Sequence, residues 1–499
     1  MDIQKEFACL ERTRLVVKKS LDSENDFQET LPAYCDDIYK VIKCVAKNSI
    51  SSADINYNEA VVNCRCRIYL TYLNENGSVC FADFEEEYTR SLGVDGLTDG
   101  AFIHAFVNDK YTNYRVINQR RIDIHSSATV QIEVFDRTKY PCLSECENAK
   151  LKRETIKCCD VIGSVLSKIE FDEEFSVPAD VGQIGRIVSF QAYAFVTDTK
   201  IIKDKALIKA SVTLEVLFTA DDAEETLQRA VHSFNVSKIV DVGGIEENDV
   251  AITAVDVNNV YLKAKLSQGD KMNMISAFGE VSLNALFVRE STVSVISDGY
   301  LLGSASECQT SRFGYFTDGH YANENKTVSM SFDLPDEIRE VKEADVHLGV
   351  PVFKGNKPVS TVQLHIIGTD NDGALLSYSG TGETELNTEP YADAMAAVGL
   401  QSFDYSIAPD GRLELRMNMQ VAAYAFNERE MQVLTDVAEG DAKPTFPSLT
   451  LYFPKKGETL WDIAKQFCSD VSLIAAENDL DNNVVDGTRP LIIPKILEV

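Results

Sequence analysis

Six histidines, at positions 104, 125, 232, 320, 347 and 365, are the side chains best suited to move protons near neutral pH, and none has a spacing that builds a site. No His-x-x-Glu-His pair is present to hold zinc on a helix, and no Gly-x-Ser-x-Gly elbow to lift a nucleophile. Cys142, Cys146, Cys158 and Cys159 offer four thiols, but they lack a paired Cys-x-x-Cys spacing and two are adjacent, so they do not read as zinc ligands. Cys64 and Cys66 alternate with Arg65 and Arg67, which puts both thiols on one face of a strand, toward a core. Asp370-Asn371-Asp372-Gly373 opens like a calcium loop. Thr381, however, stands at the twelfth position, where a bidentate Glu is required, and β-like runs flank the segment, so a hairpin turn is expected. Gly380-Thr381-Gly382 lacks the remainder of a phosphate loop or a dinucleotide fingerprint. The residues nominate no catalytic centre, no metal site and no cofactor, and the chain reads as a non-enzyme.

The elements that carry these residues belong to a large folded chain. At 499 residues it exceeds one hydrophobic core, and at roughly 100–200 residues per domain it divides into three or four. Apolar residues make up 44% and aromatics 9%, a composition of globular domains. Acidic residues outnumber basic ones by 78 to 48, for a net charge of −30, which disfavours nucleic acid and anionic lipid as direct partners. The first residues, Met1-Asp2-Ile3-Gln4-Lys5-Glu6-Phe7, lack a basic and apolar leader, and no run approaches the roughly 18 apolar residues that span a bilayer. Ten of the 12 cysteines lie before residue 160 at irregular spacing, which suits reduced, buried thiols and a cytoplasmic setting without membrane insertion.

Short alternating runs rich in Val, Ile, Tyr, Phe and Thr dominate up to about residue 450, so the body is mainly β, with sandwich-like patterning. Residues 190–196 and 206–218 form the most legible strand pair, and similar blocks occur at 60–72 and 358–367. Closing strands at 122–135, 272–287 and 413–426 each end in phenylalanine. This repetition predicts tandem antiparallel modules at 1–145, 146–298 and 299–432, then a linker at 433–447 containing Pro444 and Pro447. The period is far longer than the roughly 20–50 residues of a solenoid unit, so each module is expected to fold around its own core, with contacts between neighbours optional.

Residues 448–499 follow a different pattern. A strand at 449–453 leads through Lys455-Lys456-Gly457 into a helix with Leu460, Ile463, Ala464 and Phe467 on one face. Thr459 and Asp462 are spaced as a capping box, a second helix is predicted at 471–477, and Leu491-Ile492-Ile493-Pro494 closes a βααβ unit. Trp461, the sole tryptophan, lies about 100° around the helix from Leu460, beside the apolar stripe. It is either a partner anchor or a partly packed boundary residue.

The run Gly457-Glu458-Thr459-Leu460, Ile463-Ala464, Asn478, Asp486-Gly487 and Leu491-Ile492-Ile493-Pro494 resembles the LysM family over residues 449–494. That resemblance implies a shallow groove for glycans containing N-acetylglucosamine, between the loops at 456–459 and 478–491; some members bind proteins instead. Its candidate residues here are Lys456, Gly457, Glu458, Thr459, Trp461, Asn478, Asp486, Gly487, Leu491 and Ile492. Glu458 stands where Asp is usual, and Thr488-Arg489-Pro490 replaces a Gln-containing turn. With this unit placed last, the preceding modules resemble SPOCS domains, most closely through the segment 200–212 and the Leu217-Phe218 strand end. The whole order is similar to a family of clostridial spore coat morphogenetic proteins. It implies a scaffold in the mother-cell cytoplasm at the forespore surface, whose LysM unit docks the coat-basement ATPase, stage IV sporulation protein A, alongside other coat proteins. The alternative is a cell-wall protein that holds peptidoglycan.

Overall fold

The computed structural model describes residues 3–178, 182–222, 225–267, 271–355, 357–386, 393–440, 447, 449–480, 485 and 489–494. Strands come in three sets with one wiring. The first comprises β1 (Lys5–Thr30), β2 (Lys40–Asn56), β3 (Glu59–Leu73), β4 (Val79–Gly93), β5 (Phe102–Asn118) and β6 (Arg121–Cys146), which form the antiparallel sheets β1-β6-β5 and β2-β3-β4. The second comprises β7 (Ala149–Ser176), β8 (Ile184–Ile202), β9 (Lys205–Ala220), β10 (Leu227–Asp241), β11 (Val250–Leu266) and β12 (Met272–Leu301), in sheets ordered β7-β12-β11 and β8-β9-β10. The third adds one short strand: β13 (Ser306–Asp333), β14 (Glu340–Leu348), β15 (Val352–Lys354), β16 (Lys357–Thr369), β17 (Leu375–Glu385), β18 (Asp393–Ile407) and β19 (Arg412–Glu439). Its sheets are β13-β19-β18 and β14-β16-β17, with β15 also paired to β16.

The repeated blocks now have a structural meaning. The runs at 60–72, 206–218 and 358–367 lie in β3, β9 and β16, the middle strands of the smaller sheets. The closing runs lie in β6, β12 and β19, the middle strands of the longer sheets, and their phenylalanines Phe135, Phe287 and Phe426 are all buried. A middle strand is paired along both edges and packs one face on the opposite sheet of the sandwich, so its apolar–polar alternation is the most constrained and the most legible.

Beside each of these phenylalanines the ladder slips: between Leu15 and Val17, between Phe287 and Val288, and between Thr317 and His320. A bulge bends its strand, and beyond it the outer strand pairs leave the sandwiches as long two-stranded ribbons. Residues 5–15 pair with 135–146, 149–161 with 288–301, and 306–317 with 427–439. An isolated ribbon is only marginally stable, and these three bury their apolar faces against one another, through Leu143, Val295, Ile296, Leu301, Phe313, Val433, Leu434 and Val437. β19 runs to Glu439, so strand occupies 433–439, and β12 runs to Leu301.

The sandwiches share cores as well, so contacts between neighbours are integral to the fold. Phe135, Cys159, Val161, Leu286, Phe316, Tyr424 and Phe426 come from all three sets and form one cluster, and a bridge between Phe316 and Cys159 joins the two later long sheets. Lys43 of β2, Ser189 of β8 and Glu343 and Asp345 of β14 meet as a buried polar knot: the Lys43 ammonium lies 3.1 Å from Asp345 and 3.4 Å from Glu343, and the Ser189 hydroxyl donates to Glu343 at 2.8 Å. Asn108 clasps the backbone of Val350, donating to its carbonyl at 3.0 Å and accepting from its N–H at 2.7 Å.

The remaining residues singled out from sequence fall into structural places. Cys64 and Cys66 are fully buried in the first sandwich. Cys142, Cys146, Cys158 and Cys159 are buried too, and burial pushes the Cys159 thiol up to about 12. Asp370–Gly373 turns between β16 and β17, where the Asp370 carboxylate accepts from the backbone N–H of Asp372 and Ala374 at 2.9 and 2.8 Å. No helix among the described residues is long and apolar enough to cross a membrane.

Candidate functional site

The last described unit is built from β20 (Leu449–Tyr452), α1 (Leu460–Gln466), α2 (Val471–Glu477) and β21 (Leu491–Pro494), the βααβ order expected, with β20 and β21 antiparallel. Lys455 to Glu458 make the entry turn. Gly457 sits at φ +90°, which a side chain would strain, and the Glu458 N–H closes on the Lys455 carbonyl at 3.1 Å. Thr459 then caps α1. Its hydroxyl and backbone N–H donate to the Asp462 carboxylate at 2.7 and 3.0 Å and hold that carboxyl below its usual range, while its hydroxyl oxygen accepts from the Asp462 N–H at 3.2 Å. Leu460, Ile463 and Ala464 are buried with Ile474, Leu491 and Ile493, the core that the helical spacing predicts.

Three of the ten residues expected to line a glycan groove, Glu458, Thr459 and Asn478, have their side-chain polar groups engaged within the unit. The Glu458 carboxylate accepts from the Tyr452 hydroxyl at 2.8 Å and the Lys455 N–H at 2.7 Å. The Asn478 side-chain amide donates to the carbonyls of Ile474 and Ile492 at 2.8 and 2.7 Å and accepts from the Ile492 N–H at 2.7 Å, clasping α2 to β21. Thr459 is spent as the cap, and Leu491 is buried. Lys456 is exposed and Ile492 is half-buried, while Asp486 and Gly487 lie outside the described residues. Replacing Asn478 by leucine is therefore expected to lower the stability of this unit by about 1–3 kcal/mol, because two carbonyls and an N–H lose their partner at once. Amide exchange of Ile492 and Ile493 in the full chain measures it; unchanged protection contradicts the clasp.

Trp461 is a packed boundary residue that faces the β body. Its indole N–H donates to Asp298 of β12 at 2.8 Å, and its ring meets Tyr300 edge-on at 5.1 Å between centroids. Lys465 pairs with the same Asp298 carboxylate, Lys150 of β7 pairs with Asp470 at 2.6 Å, the Tyr300 hydroxyl donates to the Ser469 carbonyl at 2.8 Å, and the Gly303 N–H donates to the Cys468 carbonyl at 2.8 Å. The helical side of the unit is thus mounted on the far end of the ribbons. Sequence reading missed Lys150, Asp298 and Tyr300, whose only local signature is an ordinary strand.

Burial alone would raise the Asp298 and Asp470 carboxyls. The Lys465 ammonium and Trp461 N–H on the first, and Lys150 and Ser472 on the second, outweigh it and hold both below the usual carboxylate range. A depressed carboxyl favours the docked state at pH above its free value and loses that contribution as pH falls through the lower docked value. Docking is expected to be intact at pH 7 and to weaken below about pH 4. Limited proteolysis of residues 440–449 against pH checks this, with Asp298→Asn/Asp470→Asn as reference. Equal acid dependence in wild type and variant contradicts it.

The outer face of the two-stranded sheet is different in kind. Tyr452 and Thr450 turn toward the helices, which leaves Leu449, Leu451 and Phe453 on the opposite side at 63%, 59% and 71% exposure, beside Ile492, the cross-strand partner of Leu451. Its sequence signal is the alternation of 449–453, which specifies two faces without saying which is wet.

Comparison with known proteins gives two matches to family models: the SipL SPOCS domain over residues 183–265, which covers β8 to β11 of the second sandwich, and the LysM domain over residues 455–494. Both are non-catalytic domain families. No curated protein and no solved structure matches the chain. A SipL SPOCS domain followed by a LysM domain matches the description of SipL-like proteins and fits a sporulation-associated protein.

Proposed function

We propose that the protein is a non-enzymatic adaptor of spore coat assembly, in which the β body is the scaffold and the LysM domain docks the coat-basement ATPase, stage IV sporulation protein A, at the forespore surface in the mother cell. The observation that carries this reading is the mounting of the LysM domain. Tyr300, Asp298 and Lys150 fix its helical side, and the outer sheet face is left apolar and open. A rigid mount loses little conformational freedom on binding and passes the partner's position on to the whole scaffold. The three sandwiches supply further surfaces for other coat proteins, which raises local concentration through multivalency.

The peptidoglycan reading follows from the LysM family itself. It is disfavoured by the internal bonds of Glu458, Thr459 and Asn478, which leave few polar groups among the described residues to recognise a sugar. Biolayer interferometry of the full chain against immobilised purified coat-basement ATPase and against immobilised chitohexaose separates the two. The adaptor reading expects saturable binding to the ATPase and none to the glycan; glycan binding without ATPase binding overturns it.

A further inference from the structure

We propose that Leu449, Leu451, Phe453 and Ile492, on the outer face of the LysM sheet, form the docking surface for a protein segment that presents apolar side chains flanked by carboxylates. The inference rests on the adaptor reading and adds to it which face binds and what chemistry it accepts.

A two-stranded sheet normally buries one face and wets the other. Here the buried side takes Thr450 and Tyr452 together with Leu491 and Ile493, and the wetted side takes two leucines and a phenylalanine. Leu449 and Leu451 on the outward positions of β20, with exposed Phe453 just past its end, bring three large apolar side chains together, and contiguous exposed patches mark interaction sites where scattered apolar residues do not. Elsewhere among the described residues, α1 is engaged by the contact of Trp461 and Lys465 with Asp298, and the Glu458 and Asn478 side chains are bonded within the domain. The patch presents apolar side chains, so it suits a protein surface better than a sugar.

Charge selects among the apolar occupants. Lys455 and Lys456, separated from Phe453 by Pro454, are exposed and form no ion pair among the described residues, so a pair of cations adjoins the patch on a chain of net charge −30. A second copy would bring the same lysines face to face and two strongly acidic bodies together, and an anionic bilayer would repel the acidic body. A partner segment with carboxylates beside its apolar residues meets neither obstacle and is steered to the lysines. Among the described residues β20 pairs with β21 alone, so its other edge offers backbone donors and acceptors to such a segment in extended form.

The test uses the full chain and immobilised purified coat-basement ATPase in four versions: wild type, Leu451→Asp/Phe453→Asp, Lys455→Glu/Lys456→Glu, and Trp461→Phe. The substituted sheet residues are solvent-facing, and matching circular dichroism and melting curves establish that each version is folded. The proposal expects about tenfold or greater weakening for the sheet double variant, the size of a lost central apolar anchor. It also expects a smaller, salt-dependent weakening for the lysine double variant, and wild-type affinity for Trp461→Phe. Wild-type affinity in the sheet double variant overturns the proposal and leaves the adaptor reading standing. Absence of binding by the wild-type chain overturns the adaptor reading, and this proposal with it. Two results would assign the patch to another occupant and overturn the proposal: a concentration-dependent dimer by light scattering, or flotation with phosphatidylglycerol vesicles, in either case abolished by Leu451→Asp/Phe453→Asp.

Discussion

Replacing Lys43 by methionine is expected to destabilise the folded chain by about 3–5 kcal/mol, the usual cost of removing one partner of a buried ion pair. Methionine keeps the apolar stem, so the loss isolates the charge. Burial pushes the lysine's pKa down, but Asp345 and Glu343 outweigh it and hold Lys43 above its ordinary range. Burial likewise pushes Asp345 up, and Lys43 and Lys47 outweigh it and hold that carboxyl far below the usual range. Lys43 and Asp345 are therefore charged at neutral pH, and without Lys43 the buried Asp345 carboxylate is left beside Glu343, with Lys47 at 3.6 Å as its remaining ion-pair partner among the described residues. Urea unfolding at pH 7 measures the loss. Adding Glu343→Gln and Asp345→Asn to Lys43→Met should recover part of it, because the destabilisation comes from stranded charge and not from lost packing. A Lys43→Met protein within about 1 kcal/mol of wild type contradicts the role of this knot in fastening three sandwiches together.

The second large effect is expected at the LysM joint. Tyr300 has no exposed surface, lies in the same cluster as Leu460, Ile463 and Ile474, and its hydroxyl bonds Ser469. Tyr300→Ala opens a cavity between body and domain at a cost of about 3–5 kcal/mol, whereas Tyr300→Phe loses only the hydrogen bond, about 1 kcal/mol. The alanine variant should release the LysM domain from the ribbons while leaving the sandwiches folded. Faster amide exchange across α1 and α2, with unchanged exchange in β3, β9 and β16, is the expected pattern. Unchanged exchange in the helices contradicts a joint built on Tyr300.

These effects lie where sequence reading could not reach. The middle strands β3, β9 and β16 and the closing phenylalanines were legible because pairing on both edges and burial of one face impose a long alternation on one segment. The capping box of Thr459 and Asp462 was legible because its two partners are three residues apart. Lys43 and Glu343 are 300 positions apart, and a lysine in an alternating strand carries no mark of whether its end is wet or buried. The bulges beside Phe135, Phe287 and Phe426 are single-residue slips that leave the alternation nearly intact, so the turn from sandwich to ribbon is silent. Trp461 was correctly placed beside the helix stripe, but its neighbour Asp298 is contributed by another domain. The strand at 449–453 gave its period and concealed its orientation: only the position of the helices shows that the leucines and Phe453 face outward.

Amide hydrogen exchange of the full chain, alone and in complex with purified coat-basement ATPase, tests the central claim most directly. The account predicts new protection concentrated at residues 449–453 and 491–494, with α1 and its contact to β12 unchanged because they are already docked. Protection confined to the loop at 455–459, or to the sandwiches with the LysM sheet unaffected, would contradict it.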